Sequence, residues 1–516
     1  MVLLASGIKV YPNIQICKNN VDMIKKIVIP FILASMLLWS CSEGKKPVRN
    51  VIDVHKMSVS IVNNGNVEFN SWFLDKTMRL DYFHTGRYDQ ENFAVDKVVS
   101  DGIWSGSKTQ LIDELELGLY FFEVIDTATN QLLYSRGFAS IFGEWQTIPD
   151  AEVQWGTFHE SIRFPWPLKP VSVIISKRDA NNVFQPIWAT IIDPASRQVN
   201  PADMKHTNSI YTIADNGPAS EKVDIVILGD GYSHKEMEKF RRDAKRLTEA
   251  LLTAEPYASR RADINVRAIE TPAEESGVSK PHHGVYKRTP LSAHYSSFDS
   301  ERYVLAYDNR TIRNVASAVP YDFMVILVNE KTYGGGGIYN LYTTVSSDNL
   351  FADYIMIHEM GHHMGALADE YYTSAVAYEV PKITVEPWET NITALLDPNN
   401  LKWHDLVEAE TPVPTPWNKE VFDAHGYSIQ RERDSLRAAH VPEKVMEALF
   451  LRQKATEDEL FAQEQYRDKV GAFEGAGYMA KGLYRSQVDC IMYTRHNVFC
   501  KVCQRSLSDV MDQYVK

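Results

Sequence analysis

Between residues 51 and 205 the chain alternates apolar and polar residues over short segments, without a long helical periodicity. Residues 119–125 and 131–134 are apolar segments that flank a polar turn, which predicts a β-hairpin. Residues 171–175 and 183–192 predict a second pair of strands across a polar loop. Because short strands with turns between them are typical of β-sandwiches, we predict an all-β sandwich as the N-terminal domain, residues 51–205.

The pattern changes in the second part of the chain, residues 206–516. An apolar run at 223–228 is followed by a Gly-Asp-Gly turn and then by apolar residues at helical spacing, which predicts a strand-to-helix unit. Further strands are predicted at 264–269 and 323–328. We therefore predict a mixed α/β domain here and the α+β class for the whole chain.

Two later segments have an unusual composition. Residues 334–337 are four consecutive glycines, and since glycine has no side chain to pack, we predict a mobile loop followed by a strand at 338–345. Residues 430–470 mix charges of both signs, which predicts one or two exposed helices.

The most informative segment is His-Glu-Met-Gly-His, residues 358–362. On an α-helix His358 and His362 project from one face on adjacent turns, so both imidazoles can bind one metal ion. Glu359 lies between them and can take a proton from a metal-bound water and pass it to a leaving amine. Zinc is the expected ion, because it takes nitrogen and oxygen ligands in a tetrahedral site. The alternative is an exposed amphipathic helix with two incidental histidines.

A zinc site of this kind needs a third protein ligand. The next acidic residues are Asp369 and Glu370, and a helix that continued to Asp369 would carry it about 10 Å from His362 along the axis. We therefore expect the helix to end at Gly365 with a left-handed turn that brings the chain back to the metal. Spacing alone leaves both Asp369 and Glu370 open.

Residues 358–365 resemble the metzincin pattern His-Glu-x-x-His-x-x-Gly, and Leu-Ala-Asp-Glu-Tyr at 367–371 resembles the bacterial IgA-peptidase family of zinc metallopeptidases. Cys-Ile-Met-Tyr at 490–493 is similar to the methionine turn beneath the metal in metzincins. The resemblance extends over roughly 221–516, but the commonest metzincins place the third ligand where this chain has Ala368.

This resemblance implies a metzincin-like zinc peptidase domain, with immunoglobulin A as the substrate that gave the family its name. It favours Asp369 over Glu370 as the third ligand and places Met492 under the histidines. It also implies that a strand just ahead of the motif helix binds an extended peptide at the sheet edge. Tyr493 and Tyr478 are both candidates to assist the developing oxyanion.

Composition limits the partners. The chain has 516 residues, of which 44% are hydrophobic and 23% charged, as in an ordinary folded protein. Its formal net charge of -13, without a cluster of Lys and Arg, argues against nucleic acid as a partner.

The N-terminal residues predict export. Residues 23–41 begin with Met-Ile-Lys-Lys, continue with an apolar run and end with Ser-Cys, which resembles a bacterial lipoprotein signal with Cys41 as the lipidated residue. A plain secretory signal is the alternative. Residues 1–22 are interpreted as an upstream extension and 42–50 as a linker. We expect the protein in the bacterial cell envelope, lipid-anchored to the membrane or secreted.

Three cysteines, Cys490, Cys500 and Cys503, cluster around the methionine turn. A disulfide is one interpretation, because an exported protein meets an oxidising compartment. A second, structural zinc held by the three thiols and His496 is the other.

Together these features predict an exported zinc endopeptidase that hydrolyses protein substrates. Zn²⁺ would be held by His358, His362 and Asp369, with Glu359 as the catalytic base. The alternatives are a surface zinc-binding lipoprotein without turnover and a zinc amidase or esterase that acts on a non-peptide substrate.

Overall fold

The computed structural model describes residues 61–63, 66–374 and 383–515, which belong to one compact unit from Asp53 to Lys516. With 27% helix and 29% strand in several sheets, the fold has the predicted α+β class. The predicted extension, signal, linker and lipidated Cys41 lie outside the described residues, and the boundary at 205/206 stays a prediction. Within the described part of the chain, no helix is long and apolar enough to cross a membrane.

The N-terminal part contains two four-stranded sheets. The first has the strand order β5-β1-β2-β8 and the second β4-β3-β6-β7. In chain order the strands are β1 (Phe73–Arg87), β2 (Gln90–Ser100), β3 (Tyr120–Asp126), β4 (Leu132–Phe138), β5 (Gly156–Pro167), β6 (Val171–Arg178), β7 (Phe184–Ile192) and β8 (Val199–Asn200).

Both sheets contribute side chains to one apolar core, as in a sandwich: Leu80 and Phe164 come from the first sheet, and Phe122 and Val173 from the second. The pairs β3/β4 and β6/β7 are antiparallel, which confirms both predicted strand pairs. The prediction of an all-β region missed three short helices of four or five residues. They are α1 (Phe69–Trp72), α2 (Ile141–Trp145) and α3 (Asp150–Val153).

A six-stranded sheet forms the centre of the second part, with the strand order β15-β16-β14-β10-β11-β9. Its strands are β9 (Ile210–Ala214), β10 (Val223–Asp230), β11 (Ile264–Ile269), β14 (Phe323–Val328), β15 (Gly335–Ile338) and β16 (Tyr342–Ser346). The four inner strands are parallel, and the two edge strands, β9 and β15, are antiparallel to their neighbours. The strands predicted from the apolar runs are confirmed.

Helices cover both faces of this sheet. β10 is buried along its whole length because side chains on each of its faces enter a core, which explains its continuous apolar run. One face packs against α4 (Met237–Leu251), α6 (Ala352–Gly365) and α9 (Lys501–Asp512), and the other packs against α5 (Asn309–Ala316).

The glycine run is not the mobile loop that we predicted, because residues 335–338 form the edge strand β15. A Cβ on Gly335 would lie 2.6 Å from Ile355 Cγ2, and one on Gly337 would lie 2.3 Å from the carbonyl oxygen of Glu359. The glycines therefore allow a strand to pack directly against α6. Only the second half of the predicted strand at 338–345 is a strand, β16, because residue 338 ends β15 and a turn follows it. β16 lies inside the sheet, so the edge strand ahead of α6 is β15.

Smaller sheets and two longer helices complete the described part of the chain. The charged segment forms two helices, as predicted, although the first starts earlier, at Lys419, and each helix buries apolar residues. The elements are β12 (Ala293–His294), β13 (Leu305–Ala306), α7 (Lys419–Ala438), α8 (Glu443–Phe461), β17 (Ile392–Thr393), β18 (Phe473–Ala476) and β19 (Met479–Arg485). β17, β19 and β18 form a small antiparallel sheet that supports the segment after α6.

Candidate functional site

Helix α6 carries the His-Glu-x-x-His motif and is buried on nearly all sides. Two glycines allow this close packing. A Cβ on Gly361 would lie 2.9 Å from Met492 Sδ, and one on Gly365 would lie 2.8 Å from Leu507 Cδ2. Met492 therefore lies directly against the motif helix, at the position predicted for the methionine turn.

The turn that ends α6 comes one residue later than predicted. Ala366, with a φ of 52°, adopts the left-handed conformation instead of Gly365. Its N–H donates to the carbonyl oxygen of His362, and the N–H of Leu367 donates to that of Gly361. Gly365 is explained by its packing on Leu507 rather than by backbone conformation. The change of direction that the sequence required is present.

This turn brings Asp369 to the two histidines. Asp369 Oδ1 lies 3.2 Å from His358 Nε2 and 3.3 Å from His362 Nε2, and the two Nε2 atoms are 3.2 Å apart. His358 Nδ1 donates to the carbonyl oxygen of Ile491 at 2.9 Å, and His362 Nδ1 donates to that of Leu367 at 2.6 Å. A carbonyl oxygen carries no proton, so these contacts keep the hydrogen on Nδ1 and leave each Nε2 with a lone pair that faces Asp369.

These three atoms form a site for positive charge. Burial lowers the pKa of His362, but Asp369, together with Glu359 and the carbonyl of Leu367, outweighs burial and raises that pKa to about 9. Burial conversely raises the pKa of Asp369, but the two imidazoles hold it well below its ordinary value. Among the described residues, Asp369 Oδ1 has no hydrogen-bond partner of good geometry.

A metal ion fits this geometry. A tetrahedral ion with ligand bonds of 2.0–2.1 Å separates its ligand atoms by about 3.3 Å, and the three measured separations are 3.2–3.3 Å. The donor set of two imidazoles and one carboxylate suits zinc and similar divalent ions.

Asp369 is held from several directions. The Tyr478 hydroxyl donates to its second oxygen, Oδ2, and the N–H of Gly477 donates to its backbone carbonyl at 3.0 Å. The fully buried Asn391 pairs with both backbone groups of Ala368 at 2.9 Å. Neither Asn391 nor Gly477 was singled out from the sequence, because their roles depend on contacts made across the fold.

Glu370 points away from the histidines. Its carboxylate accepts a hydrogen bond from Asn391 and lies 3.6 Å from Cys503 Sγ, within the cysteine cluster. The two acidic residues that the sequence left open therefore face different sites, and only Asp369 reaches the histidines.

Glu359 lies beside the two histidines on the open side of α6. One of its carboxylate oxygens lies within 4.8 Å of a ring nitrogen of each. Burial raises its pKa above the ordinary value, while the histidines and Arg302 oppose that rise. The side chain is only partly buried, so it can meet a bound molecule.

Other polar groups lie around the site, and the sequence did not indicate Arg302, Tyr303 or Glu144 among them. Arg302 Nη2 donates to the Tyr371 hydroxyl at 2.9 Å, and the Tyr371 ring lies 5.3 Å from that of Tyr478. Glu144, from α2 of the N-terminal part, accepts a hydrogen bond from the Tyr303 hydroxyl. Burial raises the pKa of Glu144 to about 7. The N-terminal part thus contributes a carboxyl group near the motif.

His363 and two residues named from the sequence, Tyr493 and His496, have other partners. His363 is packed between strands, where its Nδ1 lies 3.0 Å from the carbonyl oxygen of Ile338 and burial lowers its pKa to about 3. Tyr493, one of the two tyrosines proposed for the oxyanion, is buried with Arg485 3.8 Å from its ring, and its hydroxyl donates to the Tyr372 hydroxyl at 3.4 Å. His496 pairs with Asp458 and Asp489 and does not join the three thiols.

Comparison with known families agrees with this geometry. The family described as IgA Peptidase M64 matches residues 211–511, and the family described as Peptidase M64 N-terminus matches residues 68–189. No curated protein matches the chain. The resemblance inferred from the motif and from Leu-Ala-Asp-Glu-Tyr is thereby confirmed, and the chain belongs to the IgA peptidase M64 family, which makes it a peptidase.

Proposed function

We propose that this peptidase is a zinc-dependent endopeptidase whose ion is held by His358, His362 and Asp369. One observation carries the proposal: two imidazole lone pairs and a carboxylate oxygen converge at 3.2–3.3 Å. Three acceptors this close repel one another unless a cation lies between them. When bound there, Zn²⁺ supplies a Lewis acid that polarises the substrate carbonyl and lowers the pKa of a bound water to about 7.

Glu359 is the proton carrier in this proposal. It is an acceptor when ionised, and it lies within 4.8 Å of both ligand histidines. Its raised pKa suits a group that must first accept a proton and then give it to the leaving amine. The carbonyls of Ile491 and Leu367 fix the two imidazole rings, so Glu359 works beside a rigid pair of ligands.

The substrate is an extended peptide that pairs with the edge strand β15. The N–H of Gly335 donates to the carbonyl of Arg302, and its carbonyl accepts from the N–H of Val304. A peptide therefore cannot pair with the edge at Gly335. In the antiparallel ladder Gly337 has the same orientation as Gly335, so its backbone groups face the same outer edge. A peptide added at Gly337 would pass the face of α6 that carries Glu359 and His362.

We also propose that the protein acts in the bacterial cell envelope, anchored through Cys41. The support is the order of lysines, apolar run and Ser-Cys in residues 23–41. A Cys41→Ser variant should leave the membrane fraction and remain active, whereas unchanged membrane association would contradict the anchor.

The test of the activity is a Glu359→Gln variant with Glu420→Gln as its control. Glu420 is exposed at the start of α7, so its change removes one charge away from the site. Both variants should keep the metal, and only Glu359→Gln should lose hydrolysis, because an amide cannot take up the proton at neutral pH.

The readouts are the metal content and the new N-termini produced in a complex mixture of proteins. New N-termini with wild type and not with Glu359→Gln would support a peptidase that uses this base. Retained hydrolysis in Glu359→Gln would transfer the base role to another group. Wild type that binds zinc but cleaves no peptide would favour the binding protein or a non-peptide substrate.

A further inference from the structure

Four buried side chains form a second cluster beside the methionine turn. Cys490, Cys500, Cys503 and Glu370 each offer one ligand atom, and these atoms lie within 4.8 Å of one another. All four residues are less than 5% exposed, and the three thiols form no disulfide. Such a set of soft sulfur ligands with one carboxylate differs from the histidine site in its chemistry.

The measured separations are those of a tetrahedral zinc site. Zinc with bonds of 2.3 Å to sulfur and about 2.0 Å to oxygen separates two sulfurs by about 3.8 Å, and a sulfur from an oxygen by about 3.5 Å. Cys490 Sγ lies 3.7 Å from Cys503 Sγ, and Cys503 Sγ lies 3.6 Å from Glu370 Oε1. A disulfide would need the sulfurs about 2 Å apart.

The surroundings of Glu370 also suit a bound cation. Within the described residues, its Oε2 has no hydrogen-bond partner although the carboxylate is fully buried. The nearby guanidinium of Arg485 donates instead to the carbonyls of Gly475 and Val488. Burial of a carboxylate that has no cation beside it and one oxygen without a partner costs free energy. A bound metal ion would supply the positive charge and a partner for that oxygen.

Donors around the sulfurs fit thiolate ligands. The N–H of Cys500 lies 3.2 Å from Cys490 Sγ, and the N–H of Cys503 lies 3.4 Å from Cys500 Sγ. The Ser486 hydroxyl lies 3.1 Å from Cys500 Sγ. Hydrogen bonds of this kind orient ligand atoms and stabilise their charge.

We propose that Cys490, Cys500, Cys503 and Glu370 bind a structural Zn²⁺. Four protein ligands complete a tetrahedron and leave no position for water, so this ion does not take part in hydrolysis. The site takes Glu370 as its fourth ligand, in place of the His496 considered from the sequence.

The second ion would tie together the two segments that shape the first site. Glu370 follows Asp369, and its N–H donates to the carbonyl oxygen of Met492 at 2.8 Å. Cys490 precedes Ile491, whose carbonyl oxygen holds His358. The structural ion would therefore hold in place both Asp369 and the carbonyl of Ile491 that orients His358. This positioning role, unlike the site itself, rests on the proposed function of the histidine site.

Metal content is the direct test. Full-length chain isolated from the cell envelope without chelator or added reductant should contain two zinc ions. Cys503→Ser and Glu370→Gln should each contain one, His362→Ala should contain one, and Cys503→Ser with His362→Ala should contain none. Glu370→Gln keeps the shape of the side chain, so its zinc content tests the second site if Cys503→Ser does not fold.

Cobalt gives a readout independent of activity. Co²⁺-loaded wild type and His362→Ala should show the absorbance of thiolate-to-cobalt charge transfer, and Cys503→Ser should lack it. One zinc in wild type that is lost only with His362→Ala would overturn the proposal, as would an intact mass two hydrogens short with Cys490 linked to Cys503. Loss of one zinc in Cys503→Ser but none in His362→Ala would support this site and instead contradict the histidine site.

Discussion

Replacement of Gly337 by Ala tests how closely the edge strand must approach the motif helix. The added Cβ would lie 2.3 Å from the carbonyl oxygen of Glu359 and 3.0 Å from Cβ of His362. The first of these atoms belongs to the backbone of α6, so no side-chain rotation can relieve the contact. Either α6 or β15 must move.

The required displacement sets the size of the effect. Normal contact between nonbonded heavy atoms begins at roughly 3.4 Å, so strand and helix must separate by about 1 Å. A displacement of about 1 Å in a catalytic arrangement costs on the order of 100-fold in rate. We therefore expect kcat/KM for Gly337→Ala to fall about 100-fold, with a stability loss of about 1–3 kcal/mol from overpacking.

The assay compares peptide hydrolysis, metal content and thermal unfolding for Gly337→Ala and Gly284→Ala. Nothing lies within 4 Å of a Cβ on Gly284, but its φ of +66° strains any other residue. The control should therefore lose about 1–2 kcal/mol of stability without loss of activity. A folded Gly337→Ala that keeps wild-type kcat/KM within twofold would refute the argument that this spacing positions the site.

Three further changes test other contacts. Asp369→Ala should weaken metal binding by orders of magnitude, because only two imidazole ligands remain. The metal affinity is measured by competition with a chelator, and an unchanged affinity would show that the third ligand is another residue. Tyr478→Phe removes the hydroxyl that donates to Asp369 Oδ2, so we expect a 10–100-fold weaker metal affinity in the same assay, and no change would show that this hydroxyl does not orient the ligand. Glu457 is buried, and burial raises its pKa from 4.5 to about 7, so its contribution to stability is present below pH 4.5 and lost as the pH rises through about 7. At pH 8.5 Glu457→Gln should therefore be more stable than wild type by up to about 3 kcal/mol and should unfold at a higher temperature. If the stability difference between variant and wild type is no larger at pH 8.5 than at pH 5, the reasoning is wrong.

The sequence was sufficient for features that depend on neighbouring residues. The spacing of His358, Glu359 and His362 places all three on one helix, because a helix brings residues four apart to one face. The apolar runs predicted β10, β11 and β14, because a strand buried on both faces needs a continuous run of apolar residues.

Only the tertiary structure decided which distant groups meet. Asp369 and Glu370 are adjacent in sequence, and contacts from Asn391, Tyr478 and the cysteine cluster direct one to the histidines and the other to the thiols. The glycine run became a strand because α6 packs against it, although glycine alone favours a loop. Local propensity acts over a few residues, whereas a ligand set and a close approach depend on side chains brought together from far along the chain.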